Sequence, residues 1–566
     1  MWKSTTATLA VWIALGIACA NPQSSRVDVL IRNARVYTVN DSQPWAEAVA
    51  IRGDRIVWLG SDAEADQWYG GRTRVIDAEG RLLLPGFIDS HNHIRFGNDP
   101  NSLNLQGAAN LREIRDLISE YADANPELAW IGGGGWAYTA LPGDGLPRAE
   151  YLTGLTDGRP AYFISYDAHT AWLNREAMQA IGLTRDSELA KHDVVVVDAT
   201  TGEPTGVVHG VVSLGSANAV LNRLWEQFPE EDGLYESLEA SLAQALGYGI
   251  TTIVAPQTSV DGLSTFVQAR DSGILKSRLE IALFHPIGTT EADLVEFAKA
   301  REQFDDDQMR VSAIKLYIDD VIEAHTAAML EPYSDMPEEI GETFYSVVDF
   351  NALVARLDAA GNQLFVHAIG DRGIQVALDA FEHAQHVNGK RDSRHQLVHV
   401  EVVSPEDIPR FHELGVVACM QPRHAMPGGI GQWVRAVGPE RVQRALPWRS
   451  LHDTGAVLAF SSDWDVTEMD PMIGIYTAVT RKSLDGNPPG GWIPEQTVSL
   501  ETAIRAYTLD GAYANFADQN RGSIAVGKYA DLILLSADLF EIPHREILNT
   551  KVVLTMVGGS VVYRAP

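Results

Sequence analysis

The chain has 566 residues, which is enough for more than one domain, and its 45% hydrophobic and 21% charged content is that of an ordinary globular protein. Its 75 acidic and 44 basic side chains give a net charge of -31. Such a surface repels nucleic acid and anionic lipid, so the composition argues against a nucleic-acid-binding function.

The first 20 residues are predicted to be a signal peptide. Lys3 precedes an apolar run over residues 7–18, which is shorter than the ~20 residues that span a bilayer. Ala18-Cys19-Ala20 then offers small residues for signal-peptidase cleavage. Residues 15–19 also resemble an imperfect lipobox. We therefore expect export, either to the periplasm or to the bacterial envelope through a lipid on Cys19, with an uncleaved anchor as the remaining alternative.

Short strands are predicted at both ends of the chain. Residues 27–80 alternate apolar and polar residues in short runs broken by Asn-Asp and Gly-Asp turns, and the last forty residues have a similar pattern. We expect residues 27–85 and 522–566 to form one composite β-sandwich.

Between these ends, short apolar strands alternate with helical stretches, which predicts an α/β fold with a (β/α)8 TIM-like barrel over residues 86–521. The first gap is far longer than a normal crossover, so residues 100–235, rich in Trp, Gly and Pro, are predicted to be an insertion after the first strand. The eight predicted strands are Leu82–Asp89, Thr251–Ala255, Leu279–Phe284, Ala313–Tyr317, Leu364–His367, Gln396–His399, Val416–Met420 and Val457–Phe460.

Side chains that can bind metal lie at the ends of these strands. His91-Asn92-His93 follows the first strand, and residues i and i+2 of an extended segment share a face, so both imidazoles can reach one ion. A barrel carries its chemistry at the C-terminal ends of its strands. A lysine inside an apolar strand there must be paired, neutral or chemically changed. The residues expected at this rim are His91, His93, Lys315, His367, His399 and Asp463.

Several longer runs resemble the amidohydrolase superfamily, and within it the branch that contains YtcJ-like proteins and N-substituted formamide deformylase. The similarity extends from about residue 27 to the C-terminus, with two departures. Asp319-Asp320 stands where the family has Asp-Gly, and His209-Gly210 stands where a Glu is expected. The matching runs are 84–93, 167–174, 202–206, 315–320, 367–371, 420–422, 462–464 and 522–531.

The resemblance implies one or two divalent metals, with zinc as the default. It assigns one ion to His91, His93 and Asp463, and a second to His367 and His399. Lys315 would be carboxylated on its amine and would bridge the two ions. The alternative is an unmodified lysine paired with a carboxylate, with one metal bound.

The resemblance also implies a reaction. A metal lowers the pKa of bound water to ~7, so that the resulting hydroxide attacks a carbonyl. Asp463 would act as the general base and then the general acid, and His399 or His424 would help to stabilise the oxyanion. We predict hydrolysis of a non-peptide C–N bond in an amide, an N-substituted formamide or a cyclic amide. The alternatives are a lactone, ester or imidazolone hydrolase, and an inactive binding or regulatory protein of the same fold.

Four residues are predicted to contact the substrate. Trp136 ends a glycine run in the insertion, and the family motif suggests that His169 lies near the pocket entrance. Arg423 and His424 follow the seventh strand at the barrel mouth. The expected partner is a small amide-type molecule, with no nucleic acid and with membrane contact only through a lipid on Cys19. A homodimer is compatible with the sequence.

Overall fold

The computed structural model describes residues 27–97, 102–143, 145–187, 194–214, 219–227, 234–426 and 430–566. The predicted signal peptide, including Cys19, lies outside these residues. Within the described ranges, no helix has both the length and the apolar character needed to cross a membrane.

The strands fall into four groups along the chain. The N-terminal group is β1 (Val29–Arg32), β2 (Arg35–Tyr37), β3 (Trp45–Ala46), β4 (Ala48–Arg52), β5 (Arg55–Gly60), β6 (Arg74–Asp77) and β7 (Leu82–Pro85). The next strands are β8 (Phe87–Asp89), β9 (Leu103–Asn104), β10 (Ile131–Trp136), β11 (Ala161–Ser165), β12 (Thr170–Leu173), β13 (Val195–Val197) and β14 (Pro204–His209). They are followed by β15 (Ile250–Thr258), β16 (Arg278–Phe284), β17 (Met309–Tyr317), β18 (Gln363–Ala368), β19 (Gln396–His399), β20 (Val417–Met420) and β21 (Leu458–Phe460). The C-terminal group is β22 (Leu532–Leu535), β23 (Val552–Val557) and β24 (Ser560–Arg564).

The α-helices lie mainly between the barrel strands. The first seven are α1 (Leu111–Ala124), α2 (Arg175–Ala180), α3 (Val211–Leu214), α4 (Ala219–Trp225), α5 (Leu234–Gly247), α6 (Leu263–Asp271) and α7 (Glu291–Gln303). The later ones are α8 (Val347–Ala359), α9 (Asp371–Asn388), α10 (Ile408–Leu414), α11 (Gly431–Val437), α12 (Trp448–Asp453), α13 (Pro471–Thr480), α14 (Leu500–Ala506) and α15 (Leu509–Ala514).

The central sheet contains β8 and β15 to β21, all paired in parallel and in chain order. Its two edge strands meet, because Ser90 N donates to Phe460 O at 3.3 Å and Asn92 forms a parallel bridge with Trp464. The eight strands therefore form a nearly closed barrel, and the predicted (β/α)8 fold is confirmed.

Strand and helix burial explain why this sequence forms a barrel. Every residue of β18 is buried, as expected for a parallel strand that is covered on both faces. Helix α9 buries Ile374, Leu378 and Phe381, whose spacing of four and three residues places them on one helical face. This face joins the main hydrophobic core of the barrel.

The predicted first strand is split in the structure. Residues Leu82–Pro85 (β7) pair with β2 and β22 in a terminal sheet, whereas Phe87–Asp89 (β8) pairs with β15 in the barrel. Gly86 lies between them, and a Cβ atom there would be only 2.2 Å from Thr251 Oγ1. The chain therefore needs glycine at this close approach, where it passes from the terminal sheet into the barrel.

Two further sheets are built from the chain ends, and one from the segment between β8 and β15. The terminal sheets have the orders β5-β4-β1-β6 and β24-β23-β22-β7-β2-β3, and the second contains strands from both ends of the chain. Leu83 and Leu534 are buried together in their shared core. The middle sheet has the order β13-β14-β12-β11-β10-β9 and packs against α1.

Candidate active site

The ends of the first and eighth barrel strands are tied together by hydrogen bonds. Asp89, at the end of β8, accepts from Ser462 N at 2.9 Å and from Asn92 Nδ2 at 2.8 Å. Asp463 N donates to the carbonyl oxygen of His91 at 2.9 Å. This arrangement brings the histidine pair and Asp463 to one point on the rim.

Three predicted metal ligands converge at that point. His91 Nε2 lies 3.1 Å from Asp463 Oδ1, and His93 Nε2 lies 3.3 Å from the same oxygen. The two imidazole nitrogens are 3.2 Å apart. Such a cluster of lone-pair donors is the arrangement expected of ligands that share one ion.

His367 and His399 complete the ring of imidazoles around the rim. Their ring centroids are 4.5 Å apart, and the His399 ring is 5.2 Å from that of His91. His399 Nδ1 lies 3.7 Å from Asp463 Oδ2 and 3.0 Å from Gln421 Oε1. Among the described residues, ligand atoms of His91, His399 and Asp463 all lie within 4.8 Å of one another.

Lys315 is fully buried in β17, and its amine has no hydrogen-bond partner among the described residues. Its Nζ lies 4.6 Å from the ring centre of Tyr317 and 5.3 Å from that of Phe365. Burial lowers the pKa of Lys315 to about 7. A buried donor without an acceptor is costly, so this amine requires a ligand or a modification that the protein side chains do not provide.

Burial also sets the protonation states of the ring. It lowers the pKa of His91 to about 3 and that of His367 and His399 well below the usual value, so these imidazoles are neutral. Burial alone would raise the pKa of Asp463, but the neighbouring His91, His93 and His399 hold it well below its usual range. Neutral imidazoles and an ionised carboxylate are the forms that bind zinc. The donor set therefore fits one or two divalent metals.

The backbone at the rim is strained. His399 has φ 76°, Val400 has φ 54° and Asp463 has φ 57°, which places all three in the left-handed region. A β-branched residue such as valine rarely adopts this conformation. Strain of this kind clusters at functional sites, where the surrounding structure holds a side chain in a required direction.

The residues after the seventh strand, Arg423 and His424, occupy different positions. His424 Nε2 lies 3.5 Å from Asp463 Oδ2, and its Nδ1 lies 3.3 Å from Glu401 Oε1. Glu401 also accepts a hydrogen bond from Trp433 Nε1 at 2.7 Å, so it orients the imidazole. Arg423 instead pairs with Glu468, with Nη2 and Oε1 3.1 Å apart.

His169 lies next to His367, with ring centroids 5.3 Å apart. Its Nδ1 contacts Asp320 Oδ1, which also accepts from Ser213 Oγ. Burial tends to raise the pKa of Asp320, but His169 and these hydrogen bonds lower it to about 2. The unusual second aspartate of Asp319-Asp320 therefore has a structural partner in His169.

The other departure from the family pattern, His209, lies on the same side of the barrel. Its Nδ1 is 3.0 Å from Thr170 Oγ1, which in turn is 2.7 Å from Tyr138 OH. Burial lowers the pKa of His209 to about 4.

Trp136 does not line the cavity, contrary to its predicted substrate contact. Its side chain is fully buried and packs edge-on against Tyr138 and Trp172, and its Nε1 donates to Phe163 O at 3.0 Å. The glycine run is an ordinary strand, β10, whose last residue contributes to the core of the inserted sheet. A tryptophan beside glycines looks the same in sequence whether it faces a core or a ligand.

A cavity of about 480 Å³ opens above the rim. His169, His367, His399, Arg423, His424 and Asp463 all line it. So do residues that the sequence analysis did not single out as ligand contacts: Tyr166, Glu323, Glu401, Trp433, Glu468 and Trp492. Glu401 follows the predicted ligand His399 by two positions, and this spacing is a signal that the sequence offers. The other residues lie on loops or helices, at no regular spacing from a predicted ligand.

Comparisons with known proteins place the chain in a family. The model described as "Amidohydrolase family" matches residues 74–563. "Protein LONG AFTER FAR-RED 3" of Arabidopsis thaliana is 29% identical, with 96% of this chain and 92% of that protein covered. "Putative amidohydrolase YtcJ" of Bacillus subtilis is 26% identical (93% and 98% covered), and "N-substituted formamide deformylase" of Arthrobacter pascens is 25% identical (95% and 98% covered). The resemblance found in the motifs is confirmed.

Solved structures share the fold. An uncharacterized metal-dependent hydrolase from Pyrococcus horikoshii superposes with a TM-score of 0.70 at 20% identity, covering 91% of this chain and 99% of that one. Atrazine chlorohydrolase TrzN from Arthrobacter aurescens, in complex with zinc, gives a TM-score of 0.52 at 15% identity, with 95% of each chain covered.

Proposed function

The chain belongs to the amidohydrolase family, and from this premise we propose that it is a metal-dependent hydrolase that cleaves a non-peptide C–N bond in an amide, an N-substituted formamide or a cyclic amide. The observation that carries the proposal is Lys315, a fully buried amine without a hydrogen-bond partner among the described residues, beside neutral histidines and an ionised aspartate.

The proposed ligands are the six rim residues. His91, His93 and Asp463 would hold one divalent metal, with zinc as the default, and His367 and His399 a second. A carboxylated Lys315 would bridge the two, which would replace an unpaired amine by oxygen donors. A bound divalent metal lowers the pKa of water and so supplies a nucleophile at neutral pH.

Asp463 is the proposed proton carrier. It is ionised in the folded protein, so it can take a proton from the attacking water, and it can then give that proton to the leaving nitrogen. Its Oδ2 lies 3.5 Å from His424 Nε2, so both groups face the same reacting centre.

His424 is the proposed donor to the substrate carbonyl. Glu401 accepts from its Nδ1–H and so orients the ring, and Nε2, which points towards Asp463, would donate from the imidazolium form, which carries a proton on both nitrogens. A fixed donor of this kind stabilises the charge that develops on the carbonyl oxygen. His399, which also faces Asp463, is the second candidate for this role.

The choice of a C–N bond is supported by similarity to N-substituted formamide deformylase over most of both chains. A metal-activated nucleophile also attacks esters and lactones, so the bond class has to be decided by experiment.

The test is hydrolysis of a panel of N-formyl amines, N-acyl amines, cyclic amides, esters and lactones. Each is assayed with metal-loaded protein, after chelation, and after zinc is restored. We expect turnover of amide-type substrates that is lost on chelation and recovered with zinc. Turnover of lactones or esters alone would contradict the proposed bond class, and turnover that resists chelation would contradict the metal dependence.

A further inference from the structure

The cavity contains four carboxylates besides Asp463. Asp167, Glu323, Glu401 and Glu468 line it together with Asp463. Two of them have partners, because Glu468 pairs with Arg423 and Glu401 accepts from Trp433 and lies beside His424. These pairs leave Asp167 and Glu323.

Asp167 is 92% buried, since only 8% of its surface is exposed, and its Oδ1 accepts from Ser165 Oγ and from His169 N at 3.1 Å. Its Oδ2 is buried and has no hydrogen-bond partner among the described residues. An unpaired buried carboxylate oxygen at a cavity wall is a position at which a ligand can donate a hydrogen bond.

Glu323 reaches the cavity beside it. Its Oε1 accepts from Tyr166 OH at 3.1 Å, and no ion pair joins it to a cation among the described residues. Burial, together with the charges of Glu401 and Asp167, raises the pKa of Glu323 to about 8, so a cation bound beside it would be needed to keep it ionised at neutral pH. The nearby cations are already engaged, because Arg423 pairs with Glu468 and His169 with Asp320.

A metal ion does not suit this part of the cavity. Among the described residues, the only group whose three ligand atoms lie within 4.8 Å of one another is that of His91, His399 and Asp463. The walls around Glu323 are instead apolar and aromatic, because its neighbours Ile322 and Ala324 pack in one cluster with Trp433 and Trp492, whose ring centroids are 6.0 Å apart. Tryptophan faces attract organic ammonium groups, whereas metal ions require several oxygen or nitrogen ligands.

We propose that this cavity binds substrates that carry a protonated amine, with Glu323 and Asp167 as the anionic partners of that amine and Trp433 and Trp492 as the walls around its alkyl stem. The inference rests on the proposed function and names its substrate class, an amide or formamide with an ammonium group on its substituent. The net charge of -31 favours such a ligand, because an acidic surface raises the local concentration of cations.

The first test is binding without hydrolysis. Calorimetry on the metal-loaded protein compares the affinity for hexylammonium with that for hexan-1-ol, which has the same chain length and no charge. We expect hexylammonium to bind at least about tenfold more tightly, and Glu323→Gln to weaken it about tenfold, or about 1.4 kcal/mol. Hexanol binding should not change. Asp167→Asn gives the same expected loss and serves as the second variant.

The matched control is Glu413→Gln, which removes a carboxylate from an exposed position on α10. It should leave both affinities unchanged. Equal binding of the two probes by the wild-type protein, or an equal loss for Glu323→Gln and Glu413→Gln, would overturn the cation site.

The second test is turnover of N-hexylformamide and of its analogue in which an ammonium group replaces the terminal methyl. We expect kcat/KM to favour the charged compound, and Glu323→Gln to remove most of that preference while leaving the neutral compound within about twofold. If neither compound is hydrolysed, the proposed function is contradicted but the cation site is not, because the binding measurement decides the cation site separately. A neutral preference in the wild-type protein would overturn the inference.

Discussion

The two ends of the barrel differ in whether their buried charged groups have partners of opposite sign. Arg278, the first residue of β16, donates to both oxygens of Asp531 at 2.7 and 3.1 Å. Nearby, Glu280 pairs with Arg310 at 2.9 Å and with Arg521 at 3.2 Å. All of these charges have a partner of opposite sign.

The opposite end contains Lys315, which lies on β17 together with Arg310 but has no hydrogen-bond partner among the described residues. Arg278 and Glu280 at the base are buried as well, so burial alone does not distinguish the two ends. The difference lies in their partners. The paired charges at the base stabilise the fold, because breaking such a pair is costly. The unpaired amine at the rim instead indicates a functional site, where a ligand or a modification would supply its partner.

The largest expected effect is at the rim. Asp463→Asn preserves the shape of the side chain but removes its ability to carry a proton, so kcat should fall by roughly 10²- to 10⁴-fold. Metal content should be largely retained, and both are measured on one preparation. Full activity in this variant would refute the proposed role of Asp463.

At the base, Arg278→Met should act on stability and not on chemistry. It leaves Asp531 as a buried carboxylate without its main partner, which costs about 3–5 kcal/mol. Urea unfolding measures the loss, and kcat per folded, metal-loaded molecule should remain unchanged. A large fall in kcat with normal stability would break the contrast between the two ends.

The corresponding change at the rim, Lys315→Met, should raise the stability of metal-free protein, whereas Arg278→Met lowers stability. The pKa of this buried amine is lowered to about 7 in the folded state from 10.5, so the unfolded chain binds more protons between these values. Wild-type stability should therefore rise with pH across this window, and the variant should lack that rise. The variant should also lose metal binding. Parallel pH profiles of the unfolding free energy would contradict the unpaired state of Lys315.

The smallest effect is expected at an exposed pair. Arg449 and Asp453 are 2.7 Å apart on α12, with about half of each side chain exposed. Asp453→Asn should change stability by only a few tenths of a kcal/mol, because water and salt screen such pairs. A loss as large as that of Arg278→Met would show that partner charge, and not burial, sets the cost at the base.

The rim could be predicted from sequence because its ligands lie at the ends of strands. His91, Lys315, His367 and Asp463 each lie within or just after an apolar run, and parallel strands bring such ends together. The same periodicity predicted seven barrel strands close to their observed bounds. It missed the split of the first at Gly86, since the pairing partners of β7 come from the distant C-terminal end.

The cavity walls could not be predicted in the same way. Glu323, Trp433 and Trp492 follow no periodic pattern, and their meeting depends on the paths of the loops above the barrel. Trp136 was instead predicted to line the cavity and does not. Its glycine neighbours suggested a ligand contact, whereas its ring is part of a core. Loop geometry depends on contacts between distant segments, which local sequence does not encode.

The proposed hydrolysis requires that the rim residues bind a metal. This requirement is tested most directly by measuring, in one purified sample, the metal content and the rate of amide hydrolysis during a chelator titration. We predict about one or two equivalents of divalent metal per chain, and a rate that falls in step with the metal that remains. Hydrolysis that continues after the metal is removed would contradict the account.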